Sequence, residues 1–254
     1  HEPILSDLHF TDYDITEEEE KWLAGVEYMR KFHLTDTEYE INRALAEGKN
    51  VLAEGAQGSL LDIDHGTYPF VSSSSTTSGG VCTGLGVAPN TIGHIFGIFK
   101  AYSTRVGGGP FVVELFDETG DTIRHIGNEY GAVTGRNRRC GWLDLVALKY
   151  AIMINGVTDL VMMKGDVLDG FETIKVCTAY TKDGETVTEM PYDTEGWQPV
   201  YEELPGWHTP LTELRAEADF PQAFKDYIAY IEKATATPIT IVSVGPDREA
   251  TIIR

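Results

Sequence analysis

The sequence predicts an α/β fold: a mostly parallel sheet flanked by helices, with a β-hairpin extension. Two observations carry this. Apolar strand-like segments such as "VTDLVMMKGDVLDG" and "PITIVSVGPDREATIIR" alternate with stretches of helical periodicity such as "WLDLVALKYAIMIN" and "FPQAFKDYIAYIEKAT", and that alternation builds parallel sheets. Within "TIKVCTAYTKDGETVTEMP", the pair Asp183-Gly184 interrupts two β-rich runs, which is a hairpin signal. The length of 254 residues, with 42% hydrophobic and 24% charged residues, allows one large domain and a sizeable core. One α/β domain over residues 1–254 is expected, with residues 1–48 as a helical subregion.

Taken in order, "ITEEEEKWLAGVEYMRKF" reads as a helix. Thr16 is the candidate N-cap, acids fill the first turn, and Trp22, Leu23, Val26 and Met29 follow helical spacing. "TDTEYEINRALAEG" repeats the style, and Gly48 ends it. Val51 to Ala53 then reads as a short buried strand running into a glycine-rich turn. Residues 54–90 are loop-like and rich in Gly, Ser, Thr and Asp, and so long a loop in a compact domain is usually functional. "TIGHIFGIFKAYSTR" is expected as a helix, from Ile92, Ile95, Phe96, Phe99 and Tyr102. "GGGPFVVELFD" is expected as a turn and strand. The helix in 220–235 has Pro221 near its start and Phe224, Tyr227, Ile228 and Ile231 inward.

The charge balance excludes a class of partners. With 20 basic against 40 acidic residues, a formal net charge of −20 repels a phosphate backbone, so no nucleic acid is expected. No run of 18 uncharged apolar residues occurs, so no membrane helix is expected. The first residues lack the basic-then-apolar pattern of a signal peptide, and Cys82, Cys140 and Cys177 are sparse and widely spaced. Reduced thiols and a cytoplasmic location follow as expectations.

Four stretches carry candidate chemistry. In "LVMMKGDVLDG", Lys164 and Asp166 lie just past an apolar strand. A carboxylate there can accept the paired N1–H and N2–H₂ donors of guanine while the lysine stem covers the ring; the competing reading is an exposed turn with a solvated ion pair. In "IVSVGPDREA", Ser243, Val244 and Gly245 close a buried strand, either as backbone contacts to a base or ribose or as a plain strand-to-strand turn. Gln57 lies between glycine residues in "EGAQG" and can read a base edge through its amide, while the hydroxyl run from Ser72 to Thr77 can donate to phosphate. Asp62, Asp64 and His65 stand too close together to converge readily on an octahedral ion. Finally, "VTGRNRRCGW" gathers Arg136, Arg138 and Arg139 between Gly135 and Gly141 in an acidic chain. They either grip carboxylate ligands bidentately or pair with the protein's own acids.

These stretches occur together in one order: "EGAQGSLLDIDHGTYPFVSSSSTTSGGVCTGLG", "KAYSTRVGGGPFVVELFDETG", "NEYGAVTGRNRRCGWLD", "KGDVLDG", "YEELPGW" and "VGPDRE". In that combination the chain resembles the adenylosuccinate synthetase family from about residue 40 onward. The resemblance implies a fold of that type, P-loop NTPase-like. It implies GTP-dependent ligation of IMP and L-aspartate through 6-phosphoryl-IMP, with Mg²⁺ as cofactor and GTP as co-substrate. It also implies a homodimer for the complete enzyme.

By position, the resemblance places Gln57, Ser72, Val106 and Arg136 on IMP, Ser72 standing where the family has a threonine. Ala132, Val133, Thr134, Gly135, Arg136, Asn137 and Arg138 match the mobile aspartate loop. Arg138, Lys164, Gly165, Asp166, Ser243, Val244 and Gly245 match the GTP contacts. Gly165 stands where the family more often carries a larger residue, a departure expected to loosen the guanine turn. The family's "GDEGKGK" phosphate loop, catalytic base, catalytic histidine and Mg²⁺ ligands have no counterpart here. The chain is therefore expected to be the larger C-terminal part of the enzyme, with no catalytic or metal residue of its own and no turnover alone.

Overall fold

The computed structural model describes residues 1–254, which divide into two compact units, His1–Val51 and Leu52–Arg254. The first unit is helical: α1 (Glu2–Asp7), α2 (Ile15–Met29) and α3 (Thr37–Ala46). The N-cap of α2 is Asp14 rather than the expected Thr16. Its carboxylate accepts from the backbone N–H groups of Thr16 at 2.9 Å and Glu17 at 3.2 Å, which satisfies two of the donors a helix start leaves orphaned. The apolar stripe of α2 is real, yet Trp22, Leu23, Val26 and Met29 are all exposed.

The second unit holds the sheets. Its elements are α4 (Gly79–Leu85), β1 (Phe96–Lys100), β2 (Ser103–Arg105), α5 (Glu118–Ile126), β3 (Arg139–Gly141), β4 (Leu143–Asp144), α6 (Leu145–Asn155), β5 (Asp159–Met163), β6 (Thr173–Lys182), β7 (Glu185–Val187), β8 (Gln198–Pro205), α7 (Gln222–Thr235), β9 (Ile239–Ser243) and β10 (Thr251–Ile253). One sheet runs β1-β5-β9-β10. Its first three strands are parallel, with Lys100 beside Met163 and Met162 beside Val242; β10 returns antiparallel on β9. A second sheet pairs β4 parallel to β6, and β6 antiparallel to both β7 and β8. The turn between β6 and β7 uses Asp183 and Gly184, both at positive φ, as a two-residue hairpin requires.

The helices obey their local signals. Asp144 caps α6 by accepting from the Ala147 N–H at 3.0 Å, and Gly156, in the left-handed region, ends it. Phe224, Tyr227, Ile228 and Ile231 line the inner face of α7, in one core with Leu160, Met162 and Val242 of the sheet. Burial of four such side chains stabilises by roughly 6–12 kcal/mol before entropy is counted.

Three expected elements differ. The expected helix over "TIGHIFGIFKAYSTR" is instead β1 and β2. The segment carries Gly93 and Gly97 and is rich in Ile and Phe, so it extends well, and parallel pairing with β5 decides the matter. Val51–Ala53 is not a strand; Leu52 is 89% exposed and has no ladder partner. "GGGPFVVELFD" is a looped segment rather than a strand: it bridges β3 at Glu114 and Gly141, and Val113 packs with Cys177 and Tyr180 of β6.

Candidate functional site

Parallel strands in register present their carboxyl ends along one edge, where open α/β sheets collect ligands. That edge carries Lys100 at the end of β1, Lys164 just past β5, and Ser243–Gly245 at the end of β9. The Ala101 N–H donates to the Met163 carbonyl at 2.9 Å, which locks the ends of β1 and β5 side by side. Lys164 then turns the chain at φ +60, a conformation few non-glycine residues adopt.

The two lysines meet on a residue that the motifs do not single out. Glu129, in the segment between α5 and β3, is fully buried. Its Oε1 accepts from Lys100 Nζ at 2.7 Å, Tyr102 Oη at 2.6 Å and Lys164 Nζ at 3.2 Å, and its Oε2 accepts from Arg138 Nη1 at 2.7 Å. Lys164 Nζ also donates to the Gly127 carbonyl. Burial alone would push the Glu129 carboxyl up. The bonds from Lys100, Tyr102 and Arg138 overcome it and hold the group at about 2, against an ordinary value of 4.5. Lys100 is pulled below its ordinary range, by burial first, although Glu129 opposes this. Three cations thus share one buried carboxylate.

Arg138 joins this cluster from the base of the arginine loop. The Gly131 N–H donates to the Arg136 carbonyl, the Gly135 N–H to the Gly131 carbonyl, and Arg138 N–H to the Glu129 carbonyl. Gly135 adopts φ +64, which suits a residue without Cβ. Thr134 Oγ1 accepts from the Arg136 N–H at 3.3 Å, and Tyr130 bridges Asn137. At the tip, Ala132 is exposed and Val133 is 98% exposed. The three arginines therefore divide their work. Arg139 is structural, pairing through Nε and Nη2 with Glu114 and donating from Nη1 to the carbonyls of Gly107 and Gly109. Arg138 is anchored on Glu129. Arg136 is exposed and its guanidinium makes no ion pair.

The turn after Lys164 is tightly packed. A Cβ on Gly165 would lie 3.0 Å from Phe224 Cζ and 3.3 Å from Leu211 Cδ1. The glycine thus admits the Phe224 ring, and the turn is filled rather than loose. Asp166 follows, half-buried; burial pushes its carboxyl up, opposed by its own backbone N–H and by Lys164. Asp169 fixes the far side of the turn, accepting from Trp207 Nε1 at 2.7 Å and the Leu211 N–H at 3.0 Å. At the end of β9, Ser243 Oγ donates to the Gly245 carbonyl at 3.0 Å and the Val244 N–H to the Ala250 carbonyl at 2.9 Å.

The remaining candidates lie on loops. Asp62 organises the hydroxyl-rich one: its two oxygens accept from the N–H groups of Asp64, His65, Thr76 and Thr77. Burial opposes these bonds, which nevertheless hold its carboxyl below the usual range. Ser72 is tied in by its N–H to the Leu61 carbonyl at 2.7 Å. Arg105, buried, donates to Thr67 Oγ1, to the Phe70 carbonyl and to the Gly108 carbonyl. It thereby joins the Ser72 loop to the loop that begins at Val106, which is itself 61% exposed. Gln57 is exposed, at φ +64.

So the structure brings Arg138 and Lys164 onto one carboxylate and joins the Ser72 and Val106 loops through Arg105. The Gln57 side chain hydrogen-bonds to neither group, although the adjacent Gly58 carbonyl accepts from Thr76 Oγ1 at 2.7 Å. A cavity of about 450 Å³ lies between Tyr68–Phe70, Gly109–Pro110 and Tyr192–Glu195, and none of the candidate residues lines it. Glu129, Lys100, Tyr102 and Arg105 lie within the stretches "NEYGAVTGRNRRCGWLD" and "KAYSTRVGGGPFVVELFDETG", but no spacing or composition marks them as site residues. The donor set does not fit a resident Mg²⁺: no three His, Cys, Asp or Glu side chains converge, and Asp62 spends both oxygens on backbone.

The architecture and this edge define an α/β protein of the class that gathers its ligands at the carboxyl ends of parallel strands. The family model described as adenylosuccinate synthetase matches residues 1–252, and the chain belongs to that family. It is 61% identical over 255 aligned residues to an adenylosuccinate synthetase of Phocaeicola vulgatus and 60% identical to one of Bacteroides thetaiotaomicron, covering 100% of this chain and 60% of each relative. The structure of a fully ligated adenylosuccinate synthetase from Plasmodium falciparum superposes with a TM-score of 0.92 at 38% identity, over 100% of this chain and 61% of that one. A cyanophage S-2L succinoaminodeoxyadenylate synthetase shares the fold at TM-score 0.56 and 18% identity, over 89% of this chain and 54% of that one. The chain thus spans about three fifths of the length of the relatives it matches.

Proposed function

We propose that this chain carries the ligand-gripping part of an enzyme that joins IMP to L-aspartate at the expense of GTP, through 6-phosphoryl-IMP. The observation that supports it most is the division among the arginines. Arg136 is an exposed, unpaired guanidinium on a loop whose base Arg138 secures to Glu129, which suits a ligand with two carboxylates. Ala132 to Arg138 form the aspartate loop in this reading. Lys164, Gly165 and Asp166, with Ser243, Val244 and Gly245, read the guanine of GTP, and Arg138 approaches the same nucleotide. Gln57, Ser72, Val106 and Arg136 hold IMP.

In this reading GTP phosphorylates the 6-oxygen of IMP and the aspartate amine displaces the phosphate. Both steps move a dianionic group, so positioning and charge stabilisation dominate. The residues of this chain supply the positioning and the positive potential; no step is assigned to Mg²⁺ on them. The enzyme acts in the cytoplasm as a homodimer, and this chain by itself turns over no substrate. A coupled assay tests it: with IMP, GTP, aspartate and Mg²⁺, a complete relative forms adenylosuccinate and this chain alone forms none. Aspartate-dependent product from the chain alone contradicts the division of labour proposed here.

A further inference from the structure

Lys164 and Arg138 belong to opposite ends of the proposed ligand floor: one to the turn after β5, the other to the base of the 131–138 loop. Two such cations repel each other unless an anion lies between them. Glu129 is that anion, with Oε2 committed to Arg138 and Oε1 to Lys164, Lys100 and Tyr102. Because the carboxylate is planar and buried, it cannot swing toward one partner without leaving the other. The loop base is attached to Glu129 a second time, since the Arg138 N–H donates to the Glu129 carbonyl, and Arg124 Nε donates to the Arg138 carbonyl at 2.9 Å.

We propose that Glu129 is a positioning residue that couples the arginine loop to the Lys164–Asp166 turn, so that a guanine nucleotide at the turn steadies the loop that grips the amino acid. Glu129 touches no ligand itself in this scheme. It acts through Arg138 and Lys164, and the ligand-linked half of the proposal rests on that turn being the guanine site.

Limited trypsinolysis tests it, because Arg136 is exposed on the loop and its cleavage is read by intact mass. In the wild-type protein, GDP slows cleavage after Arg136. In Glu129→Gln the ligand-free rate rises about tenfold or more, the loss of a charged hydrogen bond to the loop base. GDP still binds that variant by calorimetry but no longer slows the cleavage. Tyr102→Phe removes one bond to the same carboxylate without touching either cation, and keeps wild-type rates and GDP protection. Should Glu129→Gln fail to unfold cooperatively, Glu129→Asp keeps the charge, withdraws it by one methylene and carries the same expectations. Wild-type cleavage rates in the variant, or GDP protection undiminished, overturn the coupling. A wild-type loop that GDP does not protect refutes the guanine assignment instead, while the ligand-free rates still decide whether Glu129 holds the loop.

Discussion

The acid stability of this protein should carry the signature of Glu129. Its carboxyl is held at about 2 in the folded chain against an ordinary 4.5. The ionised form therefore belongs preferentially to the folded state. The contribution is complete above about pH 5 and is lost as pH falls from about 4.5 toward 2; a depression of that size is worth roughly 3 kcal/mol at neutral pH. Full burial of the residue leaves little solvent screening to discount. Between about pH 5 and 3.5 the loss attributable to this one group is about 1 kcal/mol, since by then most unfolded chains have taken up the proton and few folded ones have. The assay is urea unfolding followed by the fluorescence of Trp142 and Trp207, both buried in the core of the second unit. Wild type and Glu129→Gln are compared at several pH values. The variant starts less stable at neutral pH by about 3–5 kcal/mol, because three cations lose their counter-charge, and the gap narrows by about 1 kcal/mol by pH 3.5. A gap that stays constant with pH refutes the assignment of a depressed, ionised Glu129.

Three other outcomes are expected. Gly165→Ala places a methyl 3.0 Å from the Phe224 ring and lowers stability by about 1–3 kcal/mol; Phe224→Leu in the same chain recovers part of that loss in urea titrations, and strict additivity of the two contradicts the packing account. Asp166→Asn removes a carboxyl that burial holds above its usual range. A raised carboxyl favours the folded state only at acid pH and opposes it once ionised, so the ligand-free variant is at least as stable as wild type at pH 7; a less stable variant refutes this. Asp62→Asn turns an acceptor for the Thr76 and Thr77 N–H groups into a donor. Amide exchange across residues 58–78 then quickens in line with a local loss of about 2–3 kcal/mol, and unchanged protection shows that the carboxylate is not what orders the loop.

Much of the second unit was legible because its signals are local. The helix of 145–155 has an aspartate cap and a glycine stop, and the strand of 159–163 is apolar and bounded by a Lys-Gly turn. The 92–105 segment was not, since Ile92, Ile95, Phe96 and Phe99 fit a helical stripe while the decisive fact is a pairing with residues 159–163, some sixty positions away. Val51–Ala53 fails for the converse reason: an apolar triplet is a strand only if a ladder receives it. The candidate site divides along the same line. Lys164, Asp166 and the arginine loop announce themselves by composition and spacing. Glu129 is one acid among 40 acidic residues, and its meaning appears only when residues 100, 102, 138 and 164 close around it.

Guanine recognition by the strand-end turn is tested most directly by titration calorimetry of GDP against ADP. The expected result is that GDP binds more than about 100-fold tighter than ADP, with the ratio falling toward unity in Asp166→Asn as the acceptor for the guanine edge is lost. Equal affinities for the two nucleotides, or a ratio that Asp166→Asn leaves untouched, contradict it.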